Sequence, residues 1–495
     1  MLFGLFKKHE VADIVFRGGR VYTLNPDSPW VEAVACKDGR ILAVGDRNMM
    51  DDVTDDETIV IDLKGGTLLP GFIEICGHPV LQAFRKACLI LYDDMPQDAV
   101  LSALAEYIKK NPDNHGYFAY GYNAKLHSGK TEEEIRTALD AVCSDKPVAM
   151  LDISGFHGWF NNKAIELVKA AAAAEEQEPP VITLPYVLHV LSPIDYDLLQ
   201  GAIIENASEY CAKGYTAIFD CGSPDFLHHV YQEMLVEMLQ VDMLKQRFMG
   251  SLMIVKNITS DYAVRKLMQK SDACNELEEY ISCRTLKLVV EAGADSPDED
   301  YPAVTHELLK TLAVKAADKG FDFHIDAVGK EAVSQVFEAI FLTRAAGYRK
   351  NHFIIAQSCG LSQEEEAELL LDSELRGTFS TLGDFNKRHR GVEDAKDLMD
   401  AIDKLTIDAA DLLGISDDFG SVEIGKRADF AIYKENLKGY SLPDFLTLDC
   451  RMTVMDGDIV YDADEDNPKK WHLYLKERQR EMQEQISMEE DEEFY

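Results

Sequence analysis

The sequence predicts an α/β protein, a (β/α)8 barrel of the TIM type that carries a small β-sandwich built from both chain ends. Three observations predict it. Short alternating apolar and polar runs separated by glycine turns occupy residues 12 to 70 and return at 428 to 461; strand-length apolar runs alternate with helical stretches in between; and at 495 residues the chain is too long for one ordinary domain.

At the entry, Ile14-Val15-Phe16, Val31 to Cys36, Arg40 to Val44 and Thr58 to Leu63 are strand-like, punctuated by Gly18-Gly19, Asp38-Gly39 and Gly65-Gly66. Asp-Gly between alternating runs is a hairpin signal. At the exit, Ala428 to Tyr433 is followed by Arg451 to Tyr461, broken at Asp456-Gly457.

Between the ends, the apolar runs Ala217 to Phe219, Leu286 to Val290, Phe321 to Ile325 and Phe353 to Ala356 are separated by helical stretches such as Tyr196 to Cys211 and Glu331 to Ala345. That alternation implies a parallel sheet with crossover helices, and its length suits a closed barrel. A segment from Ala83 to Leu191 interrupts the rhythm, and its Ala170 to Gln177 run of alanine and glutamate reads as a helix end or surface loop. The expected organisation is a composite sandwich from residues 1–70 and 416–465, a barrel over 71–415 with the insertion at about 83–191 covering its mouth, and a charged C-terminal helix and tail over 466–495.

Apolar residues make up 46% of the chain, and no uninterrupted apolar run approaches the roughly 18 residues of a membrane span. The opening Met1-Leu2-Phe3-Gly4-Leu5-Phe6-Lys7-Lys8 is too short for a signal-peptide core. The ten cysteines are scattered without a Cys-x-x-Cys pair, which points to reduced thiols and a cytoplasmic protein. A net charge of -38 sets nucleic acid and anionic membranes aside as partners and reads as a solvated acidic surface.

Several stretches carry a resemblance. They are Ala12 to Thr23 with Lys37 to Gly45; Leu69-Pro70-Gly71-Phe72-Ile73-Glu74; Gly420 to Phe430 after Ala409-Ala410; and Thr453-Val454-Met455-Asp456-Gly457. Inside the chain, Gly155-Phe156-His157-Gly158-Trp159-Phe160-Asn161 and Gly214-Tyr215-Thr216-Ala217-Ile218-Phe219-Asp220 agree with them. Together they resemble the formamide-deformylase-like branch (amidohydrolase family 3) of the amidohydrolase superfamily over about residues 12 to 461.

The resemblance implies hydrolysis of a non-peptide C-N bond in a small amide-type substrate, with one or two divalent metals at the C-terminal ends of barrel strands. Carried over position by position, the family's first pair of histidines falls on Cys76 and His78, its bridging lysine on Lys287, and a later histidine on Asp326 with His324 two residues before. Cysteine can still ligate zinc as a thiolate. The next histidine position reads Ile355, which cannot bind a metal, and the final aspartate fits Asp384 most nearly. The expectation is a single ion, zinc first, held by Cys76, His78 and His324 or Asp326, with Lys287 as a further ligand at the bridging position. Lys287 and Asp384 would be the catalytic pair, Asp384 as general base. His157, Trp159 and Asn161 are implied substrate contacts.

Two other readings stand beside the metal-dependent hydrolase: a catalytically inactive, metal-free relative that binds a small ligand or partner, and a metal-free lyase or isomerase using the cysteine. A homodimer is what the resemblance implies for assembly.

Overall fold

The computed structural model describes residues 10–493 apart from 93, 124–128, 153–157, 175–186, 188–189, 192–193, 224, 255–258, 275–276, 292–302, 357–378 and 384–394; the Cys76 side chain is also outside the description. Strands β1 (Ile14–Tyr22), β2 (Trp30–Lys37), β3 (Arg40–Gly45), β4 (Ile59–Asp62) and β5 (Thr67–Pro70) open the chain, and β6 (Phe72–Gly77) follows after Gly71. Asp38 and Gly39 take φ of 48° and 74°, the double left-handed turn that suits a two-residue hairpin, and β2 and β3 pair across it.

The segment expected as an insertion contains β7 (Leu89–Ile90), β8 (Tyr117–Tyr122), β9 (Val148–Asp152) and β10 (Gly158–Phe160), a sheet of its own in the order β10-β9-β8-β7. Leu104, Tyr117, Leu139, Met150 and Trp159 give it a separate core. Its helix Glu132–Val142 starts at Thr131 with a capping box to Glu134. The helix Asn162–Ala174 takes in the start of the alanine-rich run.

A parallel sheet, seven-stranded among the described residues, continues from β6 with β11 (Tyr215–Asp220), β12 (Arg247–Met253), β13 (Ile281–Glu291), β14 (Asp322–Val328), β15 (Phe353–Ala356) and β16 (Phe379–Gly383), a half-barrel in place of the expected closed eight-stranded one. With β6 they form one parallel ladder in chain order, and β6 and β16 end it among the described residues. The ladder curls. Ile75 on β6 and Ile354 on β15, near its opposite ends, share one interior cluster with Phe219, Cys221 and Met249. Outside, Leu286, Leu288 and Val290 of β13 pack with residues of the helices Ser260–Asp272 and His306–Asp318. This in-out alternation with period two is what fixes the faces of β13.

At the exit, β17 (Phe430–Tyr433), β18 (Met452–Met455) and β19 (Asp458–Asp462) extend the first sheet, because β17 pairs antiparallel with β5. Both ends of the described chain therefore contribute strands to it. The hydrogen bonding nevertheless gives one continuous ladder, β19-β18-β17-β5-β1-β2-β3 with β4 on β1, in place of two separate facing sheets. It folds over its own core where β1 changes partner from β4 to β5 beside Gly18 and Gly19, and the rings of Phe16 and Phe430 meet at 5.5 Å. Arg247, 3% exposed at the start of β12, ties this sheet to the parallel one: it pairs with Asp429 and approaches Asp456 at 2.5 Å, and its guanidinium lies 5.0 Å from the Phe419 ring.

The C-terminal helix Pro468–Glu493, in the charged stretch at the end of the chain, is anchored on the core. Leu475 is fully buried in the same core as Leu199 and Ile203. Lys245, itself buried, reaches Asp466 at 2.7 Å and sits 4.9 Å above the Trp471 ring. No helix among the described residues is long and apolar enough to cross a membrane.

Candidate active site

In the β13–β14 register, Lys287 stands opposite His324 and Val289 opposite Asp326. Residues two apart on a strand share a face, so His324 and Asp326 point the same way, and Lys287 meets both. Its Nζ lies 2.6 Å from Asp326 Oδ1 and 3.3 Å from His324 Nδ1. Lys287 is 5% exposed and His324 is completely buried, with Phe219 edge-on to the imidazole at 5.6 Å.

Burial pushes the His324 imidazole well below its usual range; the charges of Lys287 and His78 push the same way, against a smaller opposing effect of the Cys221 backbone. At neutral pH it is therefore a neutral ring beside an ion pair. His78 ends the β6 segment as the residue before the helix Pro79–Ala87, whose Pro79 at the first position suits a helix start.

A fourth group borders this one. Asp220, at the end of β11, is fully buried; its Oδ2 accepts from Ser223 Oγ at 2.9 Å and its carbonyl accepts from Ser251 Oγ at 2.5 Å, while Oδ1 has no hydrogen-bond partner among the described residues. Burial pushes the carboxyl up to about 7, partly offset by the Ser223 and Gly222 hydrogen bonds and by the charge of Lys287. Asp220 closes the Gly-x-Thr-x-x-x-Asp stretch seen in the sequence, but a strand-end aspartate alone gave no reason to place it beside Lys287.

The structure thus brings Lys287, His324 and Asp326 together, with His78 close enough for its charge to act on His324. Cys76 lies on β6 without a described side chain, and Asp384 and His157 lie outside the described residues. The two remaining substrate candidates are committed elsewhere. Asn161 Oδ1 accepts from the Val148 and Ala164 amides and Nδ2 donates to the Cys143 and Lys146 carbonyls; Trp159 Nε1 donates to Ile135 O at 2.8 Å. Both side chains are buried, so each holds the insertion together and presents no free polar atom to a substrate. On β15, Ile355, already excluded as a ligand by its chemistry, also points away from the site. Ile355 faces the helices with Leu286 and Phe323, and the inward positions are Ile354 and Ala356.

A two-metal centre does not fit this set, because Asp326 is engaged by Lys287 and β15 offers only hydrocarbon to the interior. For one ion the described residues supply two imidazoles, His78 and His324. No three His, Cys, Asp or Glu side chains among the described residues form a group that could hold a metal, so a third donor has to come from Cys76 or from a residue outside the description.

A model of the amidohydrolase family matches residues 59–372, and a second model with the same description matches 376–460. The exoenzymes regulatory protein AepA of Pectobacterium carotovorum is 25% identical over 370 residues, 68% of this chain and 78% of that protein. The N-substituted formamide deformylase of Arthrobacter pascens is 27% identical over 172 residues, but these span only 31% of the deformylase. Among solved structures, an uncharacterized metal-dependent hydrolase from Pyrococcus horikoshii superposes with a TM-score of 0.52 at 15% identity, covering 90% of this chain and 99% of that one. At that identity the likeness is one of fold.

Proposed function

Because this chain belongs to the amidohydrolase family, we propose that it hydrolyses a carbon-nitrogen bond other than a peptide bond in a small amide-type substrate. One observation supports this most: an ion pair and a neutral imidazole, Lys287–Asp326 and His324, share the inner face of adjacent parallel strands, with the fully buried Asp220 beside them. Buried charge is costly to keep and concentrates where chemistry uses it. The name of one relative, a formamide deformylase, supports the amide class.

A single divalent ion, zinc first, would be held by His78, His324 and Cys76, and would supply a water whose pKa is lowered to about 7. Of the protein's own groups, Lys287 fixes Asp326 in place, and the apolar lining of Phe219 and Ile354 keeps bulk water away from His324. Asp384 is the proposed proton acceptor.

The inactive reading is supported by the same ion pair, which already engages Asp326 with Lys287, and by a relative named as a regulatory protein. One experiment separates the two. Purified protein is analysed for bound metal and assayed against N-formyl and N-acyl amines. Turnover with about one metal per chain, lost in His78→Ala, supports the hydrolase; metal-free protein that stays inert with added zinc, manganese or iron rejects it.

A further inference from the structure

Gly222 lies one residue beyond the fully buried Cys221 and takes φ of 110°, a conformation that side chains disfavour. A Cβ at this position would stand 2.5 Å from Lys287 Cγ and 2.9 Å from Lys287 Cβ. The lysine stem therefore runs along bare backbone, and only glycine leaves it that path. The turn that carries Gly222 is tied down on both sides. Cys221 N donates to the Gly77 carbonyl on β6, and Ser223 forms a bridge with Leu252 on β12. Asp220 closes the turn on itself by accepting from Ser223, while its other oxygen, completely buried, has no hydrogen-bond partner among the described residues. An unsatisfied buried carboxylate oxygen is a cost that a purely structural turn avoids.

We propose that the turn from Asp220 to Ser223 is the positioning element for Lys287: Gly222 provides the track for the lysine stem, and Asp220 holds that track against β6 and β12. Asp220 acts through Lys287 and is not itself placed on a reacting atom. The kinetic consequence rests on the hydrolytic reading above; the positional claim does not.

The test uses the full chain and a readout of Lys287 that needs no turnover. Lysines are reductively methylated with formaldehyde and a borohydride, and the labelling rate at Lys287 is followed by peptide mass spectrometry beside a thermal melt of each variant. Gly222→Ala and Asp220→Ala free Nζ from Asp326 and raise the Lys287 labelling rate several-fold. Asp220→Asn, which keeps an oxygen for Ser223, recovers the wild-type rate. Folded Gly222→Ala and Asp220→Ala variants that label Lys287 at the wild-type rate overturn the proposal. If Gly222→Ala fails to fold, Asp220→Ala and Ser223→Ala carry the comparison.

In an active enzyme, Asp220→Ala lowers kcat by about a hundredfold, the scale of an ångström misplacement, with KM held. A shift in labelling in a protein that has no turnover leaves the positional claim standing and counts against the hydrolytic one.

Discussion

Lys287 on β13 reaches its neighbour strand to place Nζ 2.6 Å from Asp326 Oδ1, and the lysine end of that pair is nearly sealed from solvent. Two formal charges are thereby held between strands whose other interior neighbours include Phe219, Ile354 and Ala356. In such surroundings neither partner is easily left alone.

Removing one partner should therefore cost more than removing both. Asp326→Ala leaves the lysine charge buried without its counter-ion and is expected to lower stability by about 3 kcal/mol. Lys287→Met combined with Asp326→Leu is expected to recover most of that loss. Urea unfolding of the singles and the double variant measures the coupling; additive losses contradict the pair as described.

Asn161 makes four hydrogen bonds to the backbone of its own subdomain. Asn161→Ala strands those buried groups and should cost roughly 1–3 kcal/mol. KM for any substrate of the folded variant should stay at the wild-type value. A variant of native stability with a raised KM assigns Asn161 to substrate after all.

The C-terminal helix is part of the core, and Leu475 is its fully buried contact. Leu475→Ala should destabilise by about 2–5 kcal/mol, the range for a large-to-small change in a packed core. The exposed Leu473 on the same helix should tolerate alanine. Thermal melts of the two variants decide it, and equal effects contradict the docked helix.

Burial holds the Asp220 carboxyl up at about 7, whereas in an unfolded chain it titrates near 3.9. Between those values the folded protein keeps a proton that the unfolded chain has released. Asp220 therefore makes stability fall as pH rises from about 4 to about 7, and adds no slope above that. Comparing urea unfolding at pH 5 and pH 8, wild type should lose more than Asp220→Asn does. Identical losses in the two proteins place the Asp220 titration elsewhere.

Much of the architecture was legible in short-range pattern. Asp38-Gly39 and Asp456-Gly457 mark hairpins because both residues of each pair take positive φ, and Leu286 to Val290 and Phe353 to Ala356 read as strands from their apolar runs. The spacing of His324 and Asp326 alone puts both on one face of a strand. What local pattern misses is set by distant partners. The bonds of Asn161 to Cys143, Lys146 and Val148, the burial of Leu475 and the overlap of Gly222 with Lys287 all depend on segments brought together only by folding. Ile355 shows the finer limit: its side chain excludes a metal from the sequence alone, but a step of one residue in a period-two strand exchanges the interior for the helix layer, and only the pairing with β14 says which side it takes.

Whether the Lys287–Asp326 pair belongs to a working hydrolytic site is decided most directly by amine release. N-formyl and N-acyl amines are offered to wild type and to the Lys287→Met, Asp326→Leu double variant at matched folded concentration. The account predicts turnover by wild type and at least about a hundredfold lower kcat/KM in the double variant. Equal kcat/KM in both contradicts it.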